Sequence, residues 1–179
     1  MPDTVFDTIM SIVIGHEGGY VDNASDPGGR TKYGISQRSY PDVDIAQLSL
    51  EGAKAIYKRD YFDRLSLDVA DPGLALVAFD AAVNNGVGQA ARWLQAALGV
   101  AVDGVIGNQT KAALAACTGD KAQEVLTAMH AARIYMMANL STWQTFGRGW
   151  SKRLAQIPYQ AAGLTNNDTP TATDQPPAG

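Results

Sequence analysis

Apolar residues along this chain recur mostly three and four positions apart, which is the period of an α-helix. The predicted helices begin near good capping residues, such as Ser49 and Asp71, and end near asparagine or glycine, as at Asn84-Asn85-Gly86. On this pattern, helices are predicted over about 4–17, 49–61, 71–85, 87–98, 108–117, 120–140 and 148–158.

One stretch departs from the helical pattern. Residues 20–35 hold too many Gly, Asp and Asn residues for a helix, and Asp26-Pro27-Gly28-Gly29 is a turn sequence. Residues 20–21 and 31–35 are candidate short strands, which predicts a small β-hairpin beside the end of the first helix. The predicted fold class is therefore mainly α, with one small β-hairpin near the N-terminus.

Residues 165–179 form a tail rich in Pro, Thr, Asn and Asp, with no Lys or Arg, and we expect this tail to be disordered. The rest divides into residues 1–86, which carry the hairpin, and the purely helical residues 87–164. Because no linker separates these two parts, the second is expected to pack directly on the first.

Composition narrows the possible partners. The chain has 179 residues, of which 46% are hydrophobic, and a formal net charge of −4, which argues against nucleic acid. A single cysteine excludes an internal disulfide, and no apolar run approaches the roughly 20 residues of a membrane span. His16 and His130 are the only histidines, and no metal-ligand spacing occurs. No metal or cofactor is expected.

Two acidic residues and a hydroxyl stand out around the predicted hairpin. Glu17 lies in the last turn of the first predicted helix, where the helix dipole and an apolar surrounding favour a raised pKa. That property suits a general acid. Asp26 is the candidate base, which would position a water with Thr31, but a turn aspartate that caps the Pro-Gly-Gly backbone is an equal alternative. Asp22 is a weaker rival for the base.

Other polar residues are candidates for substrate contacts. Lys32 and Tyr33 are adjacent, so strand alternation predicts that only one of them faces the cleft. Asp80 and Asn84 share a face of an otherwise apolar helix and need partners. Both could bond the hairpin, with Asp80 favoured for that structural role. Asn84 could equally contact an N-acetyl group of a substrate.

Aromatic and basic side chains leave two further alternatives open. The tryptophans could stack on sugar rings or belong to the core, and core is favoured. The basic group near the C-terminus could meet carboxylates or phosphates of a cell wall, or could lie on a solvated face. These residues are Trp93, Trp143 and Trp150, and Arg148, Lys152 and Arg153.

The motifs together resemble a known family. Residues 17–20, 26–29 and 31–36 are similar to the signature of glycoside hydrolase family 108, the N-acetylmuramidases of the lysozyme-like superfamily, and the resemblance extends over about 5–160. Residues 102–110 resemble the Asp-Gly loop of the peptidoglycan-binding helical domain that accompanies it. The sequence departs from the pattern at Asn108, where proline is common, and at Phe62, where tryptophan is common and an aromatic wall is expected.

The resemblance implies a lysozyme-like endolysin that hydrolyses β-1,4 bonds between N-acetylmuramic acid and N-acetylglucosamine in bacterial peptidoglycan. Glu17 matches the catalytic glutamate, and the order Glu17, Asp26, Thr31 resembles the catalytic trio of phage lysozymes. The alternative is a wall-binding module without activity.

The N-terminus shows no signal-peptide pattern. We therefore expect a monomer that is made in the cytoplasm, is exported with help from a holin, and acts in the periplasm or cell wall. Phage-type lysis and wall opening for secretion are both compatible with this expectation.

Overall fold

The computed structural model describes residues 4–14 and 30–166, and within them the chain forms helices and one hairpin. The elements are α1 (Val5–Ile14), β1 (Thr31–Lys32), β2 (Ile35–Ser36), α2 (Leu50–Tyr57), α3 (Pro72–Asn85), α4 (Val87–Leu98), α5 (Asn108–Ala115), α6 (Gly119–Ala138) and α7 (Trp143–Asn166). A short π-helix (Lys58–Phe62) and two short 3₁₀ helices (Asp63–Leu65 and Leu67–Val69) lead from α2 towards α3. The predicted fold class, mainly α with one small hairpin, is confirmed.

Helix α3 is the centre of the molecule. Its residues 73–82 are all buried, and it packs against α1, α4, α6 and α7. The side chain of Asp71 caps its first turn by accepting from the backbone N–H groups of Gly73 and Leu74. The helix ends at Gly86, which has a positive φ of 85°. Both predicted signals for this helix are thus confirmed.

Helix α1 is anchored to α3 through aromatic side chains. The ring of Phe6 meets those of Phe62 and Phe79 edge-on, at centroid distances of 5.2 and 6.1 Å. Phe62 is buried within this cluster, so the expectation that it forms an aromatic wall is wrong. The cluster fixes the direction of α1, whose described part ends at Ile14, three residues before Glu17.

The hairpin is tighter than the sequence suggested. Thr31 pairs with Ser36 and Lys32 with Ile35 in antiparallel register. The two residues between the strands, Tyr33 and Gly34, have positive φ angles of 52° and 75°, as in a type I′ turn. The single strand predicted over 31–35 is therefore wrong, because the chain reverses in its middle. The other candidate strand, 20–21, lies outside the described residues.

A tyrosine of α2 fixes this turn. The hydroxyl of Tyr57 donates to the carbonyl oxygen of Tyr33 at 3.1 Å. A Cβ at Gly34 would come within 2.6 Å of the same hydroxyl, so the turn sits against α2 with no room for a larger residue. Ile35 is buried in the core beneath it.

The last helix extends in both directions beyond its predicted limits. Helix α7 begins at Trp143 and continues through Pro158 to Asn166, so 148–158 was too short. Thr165 belongs to this helix, and its hydroxyl donates to the carboxylate of Asp71 at 3.0 Å. The predicted disordered tail therefore starts too early at residue 165, and the remainder of that tail, from 167 onward, lies outside the described residues.

Candidate active site and adjoining groove

The two candidate catalytic carboxylates, Glu17 and Asp26, lie outside the described residues 4–14 and 30–166. Thr31, the third candidate, is the first residue of β1 and is half-buried, with its backbone paired to Ser36. The roles given to these residues stay predictions.

Lys32 and Tyr33 lie together in the hairpin. The ammonium of Lys32 donates to the carbonyl oxygen of Ala46 at 3.1 Å and lies 5.6 Å from the centre of the Tyr33 ring. Because Tyr33 occupies the turn, strand alternation does not decide which of the two faces a substrate, and that argument is wrong. Through its hydrogen bond to Ala46, the ammonium of Lys32 holds the hairpin against the loop that precedes α2.

Asp80, at the middle of α3, is the centre of a buried ion-pair network. Its carboxylate is fully buried and accepts from Arg133 Nη1 of α6 at 2.6 Å and from Arg153 Nε of α7 at 2.7 Å. Asp80 thus has the structural role that was expected, but its partners here are two arginines rather than the hairpin. Arg153 was expected either on a solvated face or against the wall, and instead pairs with this carboxylate.

Asn84 lies one turn further along α3 and is exposed. Its side-chain N–H donates to the backbone oxygen of Asp80 at 2.8 Å, which orients the amide. Its own carbonyl oxygen has no hydrogen-bond partner within the described part of the chain. Two roles were expected for Asn84. Its described hydrogen bonds go to Asp80 and not to the hairpin. A contact with an N-acetyl group of a substrate stays a prediction.

Arg153 also connects the network to α1. Its Nη2 lies 3.4 Å from the carbonyl oxygen of Val13, which is in the last turn of α1. This contact ties Arg153 to the last turn of the described part of α1. The network therefore holds the C-terminal end of α1, the end that leads to Glu17, against α3 and α7.

A groove of about 630 Å³ opens beside this junction. It runs along one face of α7, and its other wall comes from Val13 of α1 and from Asn84. The α7 side chains that line it include Trp150, Lys152, Arg153, Gln156 and Gln160. None of the lining residues that the structure describes is acidic.

Aromatic residues gather at the start of α7, next to the groove. The ring of Trp150 lies 6.0 Å from that of Trp143 and 5.8 Å from that of Phe146. Gly147 is needed between them, since a Cβ there would lie 2.9 Å from the Trp143 ring. Trp93, by contrast, is buried, so it is a core residue as favoured, while Trp143 and Trp150 keep exposed surface beside the groove.

A smaller cavity of about 170 Å³ lies on the other side of Trp150 and Arg153. It is lined by Asn85 and Arg133, and among the described residues neither Asn85 Oδ1 nor Arg133 Nε finds a hydrogen-bond partner. Buried polar atoms of this kind are normally satisfied by ordered water.

The described residues contain no cluster of His, Cys, Asp and Glu side chains that would hold a metal ion. None of the helices described here has an apolar stretch long enough to cross a bilayer.

The sequence did not identify Arg133, Gln156 or Gln160 as residues of interest. A signal for Arg133 existed, because it stands four residues after the buried Met129, on the face of α6 that turns inward. Gln156 and Gln160 carry no such signal, since an exposed glutamine on a helix is ordinary.

Comparison with known proteins gives two adjoining family matches. The family described as glycosyl hydrolase 108 matches residues 10–86, and the family described as predicted peptidoglycan domain matches residues 89–155. Among solved structures, that of Brucella abortus SagA is similar with a TM-score of 0.79 and 30% sequence identity, and the match covers 91% of this chain and 97% of that chain. No curated protein matches the sequence.

Proposed function

Since the chain belongs to glycosyl hydrolase family 108 and carries a peptidoglycan domain in its second half, we propose that it is an N-acetylmuramidase. In this proposal it hydrolyses the β-1,4 bond between N-acetylmuramic acid and N-acetylglucosamine. The observation that carries the proposal is the hydrolase match over residues 10–86, directly followed by the peptidoglycan match. The first range contains Glu17, Asp26 and Thr31.

The proposed chemistry uses the two carboxylates in different protonation states. Glu17 donates a proton to the leaving glycosidic oxygen, and Asp26, with Thr31, directs a water at the anomeric carbon from the opposite face. Carboxyl groups ~6.5–9.5 Å apart leave room for that water and invert the anomeric configuration, whereas ~5–5.5 Å is typical of retention. The sequence predicts that Glu17, three residues after the described part of α1, lies at a helix end, and this prediction supports the assignment because a helix dipole disfavours an ionised carboxylate there.

Analysis of the new reducing ends tests the bond specificity. Purified peptidoglycan is digested with the full chain, reduced with borohydride and analysed by mass spectrometry. Reduced muramic acid at the new ends is the expected result. Reduced glucosamine would show cleavage of the other glycosidic bond, and 1,6-anhydromuramic acid would show attack by the sugar's own hydroxyl instead of water. Either of these products would refute the proposal.

Two isosteric variants test the proposed acid and base. Glu17→Gln and Asp26→Asn are each expected to lower kcat on peptidoglycan by about 10²- to 10⁴-fold, the usual contribution of a general acid or base. The melting temperature is measured in parallel. Asparagine is as good a turn and cap residue as aspartate, so an Asp26→Asn variant with full activity would mean that Asp26 only shapes the turn.

The same Glu17→Gln variant separates the muramidase from a wall-binding module without activity. In the proposed enzyme, the variant still binds purified walls but no longer clears their turbidity. Equal clearing by wild type and variant would contradict the assignment of Glu17, and clearing by neither would favour the binding module.

The biological setting is also part of the proposal. Peptidoglycan lies outside the cytoplasmic membrane, so we place the action of this enzyme in the periplasm or cell wall, during phage-type lysis or during wall opening for secretion, with a holin as export partner. Expression in bacterial cells with and without a holin tests the route, since lysis should require the holin. Light scattering after size-exclusion chromatography tests the expected monomer.

A further inference from the structure

The groove along α7 carries a regular polar stripe. Lys152, Gln156 and Gln160 line it at intervals of four residues, so they lie on one face of the helix. All three side chains are exposed, and none has a recorded hydrogen bond within the described residues. These donors and acceptors are therefore available to a molecule that enters the groove.

The described lining of the groove is cationic, although the protein as a whole is acidic. The whole chain has a net charge of −4, yet residues 125–166 contain no Asp or Glu. The carboxylate of Asp80, which lies behind Arg153, already pairs with Arg133 and Arg153. Among the described residues, no carboxylate lies within ion-pairing distance of Lys152, so its charge is free to act on a bound molecule.

The dimensions match a short peptide. The stripe from Lys152 to Gln160 spans eight helical steps, which is about 12 Å at the helical rise of roughly 1.5 Å per residue. An extended peptide covers about 3.3 Å per residue, so the stripe spans three to four peptide residues. Glutamine side chains and the free carbonyl oxygen of Asn84 can bond the N–H and C=O groups of such a peptide.

We infer that this groove binds the short anionic peptide stem carried by the muramic acid residues of peptidoglycan. While the stem is attached, the lactyl carboxyl of muramic acid is an amide and the sugars are uncharged, so the carboxylates of the stem are what an ammonium such as Lys152 can select. The inference rests on the proposed function for the identity of the substrate. It goes further by assigning the stem to a particular face of α7, beside the end of α1.

The first test is direct binding. A synthetic stem tetrapeptide with free carboxylates is titrated into the full chain and followed by the fluorescence of tryptophan, since Trp150 lines the groove. Saturable binding that weakens with salt, and that is lost when the carboxylates are amidated, is expected. Equal binding of the free and amidated peptides, or of a glycerol-phosphate polymer as well as the peptide, would overturn the assignment.

The second test compares two substrates: intact peptidoglycan, and the same glycan from which an amidase has removed the stems, which leaves only the lactyl carboxylate on each muramic acid. Lys152→Glu replaces attraction by repulsion and is expected to lower the ratio of kcat/KM for stem-bearing over stem-free glycan by roughly five- to tenfold. Gln156→Glu is expected to act in the same direction. Lys111→Glu on α5, an exposed lysine away from the groove, is the matched control and should leave the ratio unchanged.

The outcomes of the second test are distinct. An unchanged ratio for Lys152→Glu and Gln156→Glu, or an equal change for Lys111→Glu, would overturn the inference while leaving the muramidase intact. If the wild type cleaves neither substrate, the proposed function fails instead, and the peptide titration still decides whether the groove binds the stem.

Discussion

His130 is a buried histidine whose role is to satisfy a backbone carbonyl. Pro158 has no N–H, so the carbonyl oxygen of Leu154, four residues earlier in α7, loses its helical donor. His130 Nε2 lies 2.7 Å from that oxygen and must therefore carry the proton. The imidazole is neutral in this arrangement, and its Nδ1 has no partner among the described residues.

The environment of His130 predicts a pH dependence of stability. Burial lowers the pKa of His130, helped by the nearby Arg133 and opposed by the bond to Leu154 and by Asp80. An unfolded histidine titrates near pH ~6.5. Below that pH the unfolded state binds a proton that the folded state does not. The contribution of His130 to the free energy of unfolding is therefore fully present above about pH 6.5. It decreases as the pH falls, by up to about 1.4 kcal/mol per pH unit.

Urea denaturation between pH 5 and 8 measures this effect. His130→Gln is expected to lower the free energy of unfolding at pH 8, because the hydrogen bond of the imidazole to Leu154 is lost. It is also expected to make the decrease in stability between pH 7 and pH 5 smaller than in the wild type. His16→Gln, at the only other histidine of the sequence, shows what the loss of an imidazole does elsewhere. Parallel pH curves for wild type and His130→Gln would contradict the assignment.

Local sequence signals predicted most of the helices, but they did not predict the turn of the hairpin or the full length of α7. The range 87–98 for α4 was predicted correctly because Gly86 and Gly99 bound it with positive φ angles. The hairpin turn was missed because Tyr33 takes a positive φ, which is unusual for a bulky residue. Only Gly34 marked that turn, and its packing against Tyr57 is a long-range contact that a sequence pattern does not contain.

Helix α7 shows how a distant residue overrides a local rule. Proline normally ends or kinks a helix because it removes one hydrogen bond and crowds the preceding turn. Here the freed carbonyl of Leu154 bonds His130 of α6, and the helix continues to Asn166. The extension carries Gln160 into the groove and Thr165 to Asp71, so it lengthens the wall of the groove by one turn.

At the scale of the whole molecule, one hydrophobic core joins the two matched ranges. Buried residues from α1, α2 and α3 belong to the same cluster as those from α4, α5, α6 and α7. The division at residues 86 and 87 stays a prediction.

The groove could not be predicted from sequence, because its walls come from α1, α3 and α7, which are far apart along the chain. The resemblance of the motifs identified Glu17 and Asp26 as candidates, whereas the polar stripe on α7 could be recognised only once the packing of the helices was known.

The network at Asp80 holds these distant helices together and can be tested directly. Asp80→Asn keeps the shape but leaves the buried Arg133, only 2% exposed, without its counter-charge. We expect the free energy of unfolding to fall by about 3–5 kcal/mol, as when one partner of a buried ion pair is removed. Chemical denaturation measures it. Glu124→Gln, in the solvent-exposed pair with Lys121, is the control and should cost less than about 1 kcal/mol.

A second variant shows whether this loss comes from the unpaired charge. Adding Arg133→Met to Asp80→Asn removes the stranded guanidinium and is expected to recover part of the stability, since apolar replacement of a buried ion pair is often close to neutral. Recovery is incomplete because Arg153 stays without its carboxylate, and its hold on Val13 at the end of α1 loosens. A double variant as unstable as Asp80→Asn alone, or a single variant that costs no more than Glu124→Gln, would mean that packing rather than this charge network joins α3, α6 and α7.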